Sequence, residues 1–416
     1  MNAPVDLDHA RIAATTPLDR LDPSNPALFR DDVWQPYFAR LRREAPVHHC
    51  AESMFGPFWS ISTYKDIMQC ELAHKVLSSD SLHGGISIRD RDKALRLPMF
   101  IAMDPPQHDE QRKVVQPIVA PGNLAKLEHV IRERAIRILE GLPRNETFNW
   151  VDRVSIELTV SMLATLFDFP QEDRRKLSHW SDCATALPMP GGLIENEEQR
   201  EAVFAEMLGA FMKLWNERVN ADPRPDLISM LAHGEATRNM TPREFMGNLI
   251  LLIVGGNDTT RNSISGGVLF LNENPAEYDK LRANPALIET MVPEIIRYQT
   301  PLAHMRRTAV ADFEIGGKTI RAGEKVVMWY ISGNRDETAI EQPDRFIIDR
   351  ARPRGHLSFG FGIHRCVGNR LAELQLKILW EEILRRFPRI EVVGRPERTY
   401  SAFVHGITNL PVRIPG

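Results

Sequence analysis

Cysteine is scarce in this chain. Its 416 residues hold four, at positions 50, 70, 183 and 366, too scattered for a CxxC metal knuckle or the cysteine run that binds an iron–sulfur cluster. A disulfide framework is not expected in a cytosolic chain of this size. Charge of one sign is also missing: 52 Lys and Arg stand against 55 Asp and Glu, a net charge of −3. The global electrostatics therefore give no reason to expect nucleic acid or an acidic membrane as a partner. Long apolar runs are absent too. The strongest one near the middle, Leu249 to Val254, is far below the roughly 20 residues that cross a bilayer. The amino-terminal stretch MNAPVDLDHARIAATTPLDRLDPSNP lacks the basic-then-apolar order of a secretory signal. Residues 1–20 are expected to be a flexible leader, and the protein to be cytoplasmic.

What is present describes an ordinary globular chain, 43% hydrophobic and 26% charged. Length alone suggests two or three domains, but no repeat, low-complexity tract or Gly/Ser linker divides the sequence. Residues 21–416 are therefore read as one continuous domain. Helical spacing dominates, as at Leu127, Val130, Ile131, Ile138 and Leu139, and again from Val151 to Phe169. Strand-like pieces are short. In Asp312 to Ile320 the pair Gly316-Gly317 supplies a turn between two extended arms, and Val326 to Ile331 reads as a buried strand or part of a helix. The fold class is mainly α with small β-sheets.

Thr241-Pro242-Arg243-Glu244 opens the clearest long helix, with a capping Thr, Pro at the first helical position and Glu three residues after the cap. No proline follows until Pro275, so the helix is expected to run about 30 residues and roughly 45 Å. It carries Gly255, Gly256, Gly266 and Gly267, each costing about 1 kcal/mol relative to Ala in a helix interior. The first pair invites a functional explanation.

Cys366 differs from the other cysteines, which read as small buried thiols. It lies in Phe359-Gly360-Phe361-Gly362-Ile363-His364-Arg365-Cys366-Val367-Gly368, followed by an amphipathic helix containing Leu371, Leu374, Ile378, Leu379 and Ile383. A glycine-rich turn thus delivers one cysteine to a helix start, where orphan backbone N–H groups and the positive helix end stabilise a thiolate. Dinucleotide binding is a poor alternative: Arg365 stands at the third glycine of GxGxxG, and no βαβ pattern surrounds it.

This segment resembles the haem-binding loop of the cytochrome P450 family, FxxGxxxCxG, matched by Phe359, Gly362, Cys366 and Gly368. The resemblance extends from about residue 20 to the carboxyl terminus. It implies a cytochrome P450 fold with a long central helix over haem b (iron protoporphyrin IX), Cys366 as the axial metal ligand, Phe359 shielding the sulfur, and Gly362 and Gly368 letting backbone approach the macrocycle. An axial thiolate donates the electron density that favours O–O cleavage. Glu294-Ile295-Ile296-Arg297 matches the ExxR motif and, with Arg350, implies a buried structural triad. Haem propionates need cationic or hydrogen-bonding partners. By the same resemblance these are His108 and Arg112, with Arg307 and His364.

Gly255-Gly256-Asn257-Asp258-Thr259-Thr260 matches the family's oxygen-activation motif, (A/G)Gx(D/E)T(T/S). Gly255 lies four residues before Thr259, so the Thr hydroxyl is expected to bond the Gly255 carbonyl and loosen the helix ladder. Oxygen activation needs protons. Thr259 is expected to hold the hydrogen-bonded network and Asp258 to relay protons from solvent; Asn257 receives no role.

Over longer blocks, including LLIVGGNDTTRNSISGGVLFLNENP, HLSFGFGIHRCVGNRLAELQLKILWEEIL and FIAMDPPQHDEQRKVVQP, the chain resembles the bacterial alkane terminal hydroxylases of this superfamily. That implies a hydrophobic small molecule and O2 as substrates, with oxygen inserted at the end of a medium-chain alkane or fatty acid. Leu251, Val254, Leu302, Ala303, Met305, Phe403 and Val404 are candidate pocket walls; each equally suits ordinary core. No flavin or nicotinamide fingerprint is present. The resemblance accordingly implies electrons from a ferredoxin and its NAD(P)H-dependent reductase, docking near Lys113 and Arg370. Hydroxylation of a terpenoid, steroid or other secondary metabolite stands as the alternative reaction. A haem-based gas sensor stands as the non-enzymatic one, though it would need neither Asp258 nor Thr259.

Overall fold

The computed structural model describes residues 7–416, which gather into two compact units. One is built from the residues up to Arg96, Gly266–Cys366 and Glu397–Thr408; the other from Leu97–Ser265, Val367–Pro396 and Asn409–Gly416. The first six residues of the expected leader lie outside the described residues. Leu7–Thr15 is helix, and Arg40 donates to the carbonyls of Ala13 and Thr16 at 2.6 and 2.5 Å.

The first unit holds a five-stranded sheet in the order Val47–Cys50, Phe58–Ile61, Lys325–Met328, Met305–Ala309, Leu77–Ser78. Lys325–Met328 is the central strand, buried at every position, and pairs parallel with Phe58–Ile61 in the register Trp59 to Val326. The remaining pairs are antiparallel. The apolar run from Val326 to Ile331 resolves both ways: strand to Met328, then one helical turn over Tyr330–Gly333. Phe313–Ile315 and Lys318–Ile320 form the expected hairpin, with Gly316 and Gly317 at φ +56° and +70°, a region that L side chains enter at a cost.

Helix Ile288–Gln299 in the same unit carries the acidic residue of the triad. Glu294 accepts from Nε and Nη2 of Arg297 at 2.8 and 2.9 Å and from Nε and Nη2 of Arg350 at 3.0 and 3.2 Å. All three are buried or nearly so. The structure therefore brings together the three residues that the motif separates by 56 positions.

The second unit is mainly helical, with one three-stranded sheet in the order Thr147–Asn149, Pro411–Arg413, Glu391–Val392. Pro121–Glu140 lies along Asn369–Arg386, tied by Arg132 to Glu382 and Glu381 at 2.7 Å each. Val151 to Phe169, expected as one helix, begins as a π-helical segment, Val151–Ile156, and continues as Glu157–Phe167. Phe167, Phe169, Trp180 and Phe211 form an aromatic cluster with ring centroids 5.2 to 6.0 Å apart. The long helix spans Pro242–Glu273, 32 residues. Its start is the expected capping box: Glu244 N donates to Thr241 Oγ1 at 3.2 Å, and Thr241 N donates to Glu244 Oε2 at 2.8 Å.

Candidate active site

Burial sorts the four thiols. Cys50, Cys70 and Cys183 are buried and Cys366 is exposed. Burial, and then the charge of Asp22, pushes the Cys50 thiol up to about 12. Burial and then Asp182 push Cys183 up to about 11, and burial raises Cys70 as well. Of the four, Cys366 is the one accessible to a group that binds from outside, which makes it the candidate ligand.

The loop that presents Cys366 takes its shape from two glycines. Gly360 and Gly362 stand at φ +67° and +68°, and a Cβ on Gly362 would meet the Glu71 carbonyl oxygen at 2.9 Å. The turn closes where Cys366 N donates to the Phe359 carbonyl at 2.8 Å. Phe359 is half-buried, its ring 5.5 Å from that of His356. His364 is buried, with Nε2 3.1 Å from Ser79 Oγ. Arg307 is 2% exposed and donates to Glu71 at 2.7 Å and to the Arg306 carbonyl at 2.8 Å. One accessible thiol on a glycine-shaped loop, together with a buried arginine and a buried histidine in the same unit, is a donor set that fits a haem. The soft sulfur suits iron, and the other two suit carboxylates.

Of the candidate walls in this unit, Ala303 and Val404 are fully buried in backbone pairing. Ala303 N donates to the Phe403 carbonyl at 2.8 Å, and Leu302 bridges Val404. Leu302, Met305 and Phe403 remain half-buried. Between them His304 is fully buried, with Nδ1 2.8 Å from the Ala402 carbonyl and Nε2 accepting from Ile88 N at 3.1 Å. Burial pushes its imidazole down to about 4, so it is neutral.

In the second unit the paired glycines of the long helix separate into two roles. A Cβ on Gly256 would meet Leu163 Cδ2 at 2.6 Å, whereas a Cβ on Gly255 would meet nothing within 4 Å. Gly256 lets helix Glu157–Phe167 approach; Gly255 leaves open space beside Thr259. The Thr259 hydroxyl donates to the Gly255 carbonyl at 2.8 Å, as its i−4 spacing predicts. Leu251 and Val254 are half-buried on this helix.

Asp258 is fully buried, and its Oδ1 accepts from Ser181 Oγ at 3.0 Å, Asn257 Nδ2 at 3.1 Å and Arg261 Nη2 at 3.0 Å. Oδ2 faces only the Thr185 hydroxyl, at 3.5 Å, among the hydrogen bonds described for it. Burial pushes this carboxyl well up from the usual range, against the pull of Arg261. Asn257, given no role by the sequence, accepts from Thr159 Oγ1 at 2.9 Å and so fixes the aspartate to helix Glu157–Phe167. Ser181 and Thr159 were not legible as partners, since they meet Asp258 or Asn257 only through packing, whereas Arg261 stands three residues after Asp258 on the same helix, a spacing that could have marked it. His108 is 1% exposed, with Nδ1 2.7 Å from Asp109, and Arg112 is half-buried one turn on. Gly368 is half-buried just before helix Asn369–Arg386; Lys113 and Arg370 are exposed.

The family model described as Cytochrome P450 matches residues 182–411. The chain is 38% identical to Linalool 8-monooxygenase of Pseudomonas putida, over 95% of this chain and 99% of that one. It is 32% identical to Methyl-branched lipid omega-hydroxylase of Mycobacterium tuberculosis (strain ATCC 25618 / H37Rv), over 92% and 91%. Among solved structures, CYP153D17 from Sphingomonas sp. PAMC 26605 is similar at 50% identity and TM-score 0.90, covering 96% of this chain and 100% of that one. Cytochrome P450-153 from Novosphingobium aromaticivorans is similar at 47% identity and TM-score 0.89, covering 95% and 99%.

Proposed function

The chain belongs to the cytochrome P450 family and is a haem b monooxygenase of it, and from that premise we propose that it hydroxylates the terminal carbon of a medium-chain alkane or fatty acid. The observation that carries this reading is the long-block resemblance to alkane terminal hydroxylases. It gains weight from a 32%-identical relative named for omega-hydroxylation of a lipid. The half-buried candidate walls Leu302, Met305 and Phe403 are apolar and offer no anchor to a polar substrate.

When bound, the haem supplies the chemistry of oxygen activation and transfer to a C–H bond. Cys366 holds the iron, and Phe359, Gly362 and Gly368 shape the loop around the sulfur. His108, Arg112, Arg307 and His364 bind the propionates. Thr259 holds a hydrogen-bonded network for proton delivery. Asp258, whose carboxyl burial shifts toward neutrality, is suited to take a proton from solvent and pass it on. A ferredoxin with its NAD(P)H-dependent reductase supplies electrons, docking through Lys113 and Arg370. The reaction is assigned to the cytoplasm; among the described residues no helix is long and apolar enough to cross a membrane.

A second reading, oxidation of a terpenoid, is favoured by the 38%-identical linalool enzyme. Products decide between the two. Given a medium-chain alkane, ferredoxin, reductase and NADH, the primary alcohol is expected to dominate. A primary C–H bond is stronger than its secondary neighbours, so the protein must hold the chain end-on, and each 1.4 kcal/mol of differential stabilisation shifts the ratio about tenfold. Internal alcohols as main products, or a haem absorption shift with linalool and none with the alkane, would refute the terminal reading. A reduced carbon monoxide band retained in Cys366→Ser would refute the ligand assignment.

A further inference from the structure

Beneath the cysteine loop lies a charged group that the function above does not use. Glu71, next to last in helix Tyr64–Leu72, is 2% exposed. Its carboxylate accepts from Arg307 Nη2 at 2.7 Å and from the Tyr330 hydroxyl in a short hydrogen bond. Burial, and then the charge of Glu71, pushes the Tyr330 hydroxyl well above its ordinary value, so it stays protonated and donates. The loop rests on this group. A Cβ on Gly360 would stand 3.3 Å from the Tyr330 hydroxyl and 3.5 Å from Glu71 Oε1, and one on Gly362 would stand 2.9 Å from the Glu71 carbonyl oxygen. Gly360 thus lets the backbone that leads to Cys366 come against the buried carboxylate, and Gly362 lets it come against the main chain of the same residue.

We propose that Glu71 is a positioning residue whose fixed negative charge, held by Arg307 and Tyr330 under the Phe359–Cys366 loop, biases the haem iron toward its oxidised form. The inference rests on Cys366 as the iron ligand. A negative charge beside the loop that carries Cys366 opposes the arrival of an electron, and with Glu71 2% exposed, solvent does little to screen it. Arg307 then has two roles, counter-charge to Glu71 and partner to a propionate, so its position follows that of the carboxylate. A unit charge removed at roughly 10 Å through an effective dielectric of about 20 moves a one-electron equilibrium by about tenfold.

Two variants separate charge from shape. Glu71→Gln removes the charge and keeps the volume; Tyr330→Phe removes a hydrogen bond and keeps the charge. In redox titration of the holoprotein, Glu71→Gln is expected to favour the reduced form about tenfold, which is about 59 mV for one electron. Tyr330→Phe is expected to stay within about twofold of wild type. An unmoved potential in Glu71→Gln, or equal shifts in both variants, overturns the proposal, the latter because loop shape and not charge would be responsible. If Glu71→Gln fails to fold because Arg307 is left buried and unpaired, Glu71→Asp, which keeps the charge and shortens the side chain, decides instead. Its potential is expected to stay within about twofold of wild type, and a tenfold shift there overturns the charge argument, because shape alone would then move the potential. The reduced carbon monoxide band, compared in wild type and Cys366→Ser, tests the ligand assignment separately.

Discussion

Replacing Glu294 with Gln keeps the volume of the side chain and removes its charge, which makes the buried triad a measurable quantity. The native carboxylate accepts four N–H groups from Arg297 and Arg350 and a fifth from Ile347 N at 2.9 Å. Burial alone would raise its pKa, but the bonds from Arg297 and then Arg350 override burial and hold it below the usual range. In the Gln variant an amide N–H₂ faces guanidinium donors, and two buried cations lose their counter-charge. Breaking a buried pair from one side costs about 3–5 kcal/mol. The low end applies here. Arg297 keeps the carbonyls of Asn334, Pro343 and Arg345, and Arg350 keeps those of Gln342 and Arg345, so their hydrogens retain acceptors. A loss of about 3 kcal/mol is a large part of a net stability of about 5–15 kcal/mol. With a urea slope of about 3 kcal/mol/M it moves the midpoint down by about 1 M. Urea unfolding of the holoprotein followed by far-UV ellipticity measures the shift. A loss below about 1 kcal/mol would refute the reasoning and mean that the backbone carbonyls alone hold the two arginines.

Thr259→Ala is expected to bind haem and substrate normally while diverting electrons to hydrogen peroxide, read as a lower ratio of product to NADH; unchanged coupling contradicts a role in proton delivery. Asp258→Asn is expected to slow turnover by about 10²-fold or more with a solvent isotope effect larger than wild type, and an unaltered isotope effect counts against the relay. His304, neutral when folded with a pKa of about 4, takes up a proton in the unfolded chain at about 6.5. Stability is therefore lost as pH falls from 6.5 toward 4, about 2 kcal/mol by pH 5. His304→Asn should lack that loss, and equal losses in the two proteins would contradict it. Lys113→Glu and Arg370→Glu should slow reduction by ferredoxin without changing the haem spectrum. Added salt should slow it in wild type, since exposed charges are screened over about 8–10 Å; salt-independent reduction would place the docking energy elsewhere.

The sequence by itself determined the features that depend on local order. Thr241, Pro242 and Glu244 set the start of the long helix, because a capping box involves only neighbours in the chain. Gly316-Gly317 set the hairpin, because the turn needs positive φ at those two positions. Phe359, Gly362, Cys366 and Gly368 carried the family, because a metal loop fixes residue type at fixed spacing. The bond from Thr259 to the Gly255 carbonyl followed from helix geometry alone.

Only the tertiary structure decided which polar groups share an interior. Arg350 reaches Glu294 across 56 residues, and Glu71 reaches Arg307 across 236. A glutamate near the end of an amphipathic helix reads the same whether it faces water or a cysteine loop, so nothing in the residues around Glu71 marked it. The same holds for Asn257, whose partner Thr159 lies 98 positions away, and for the two glycines at 255 and 256. Sequence shows both as helix-weakening; only the neighbouring helix makes Gly256 a packing contact and leaves the space beside Gly255 open. Burial is a property of what folds over a residue, and that information is spread over the whole chain.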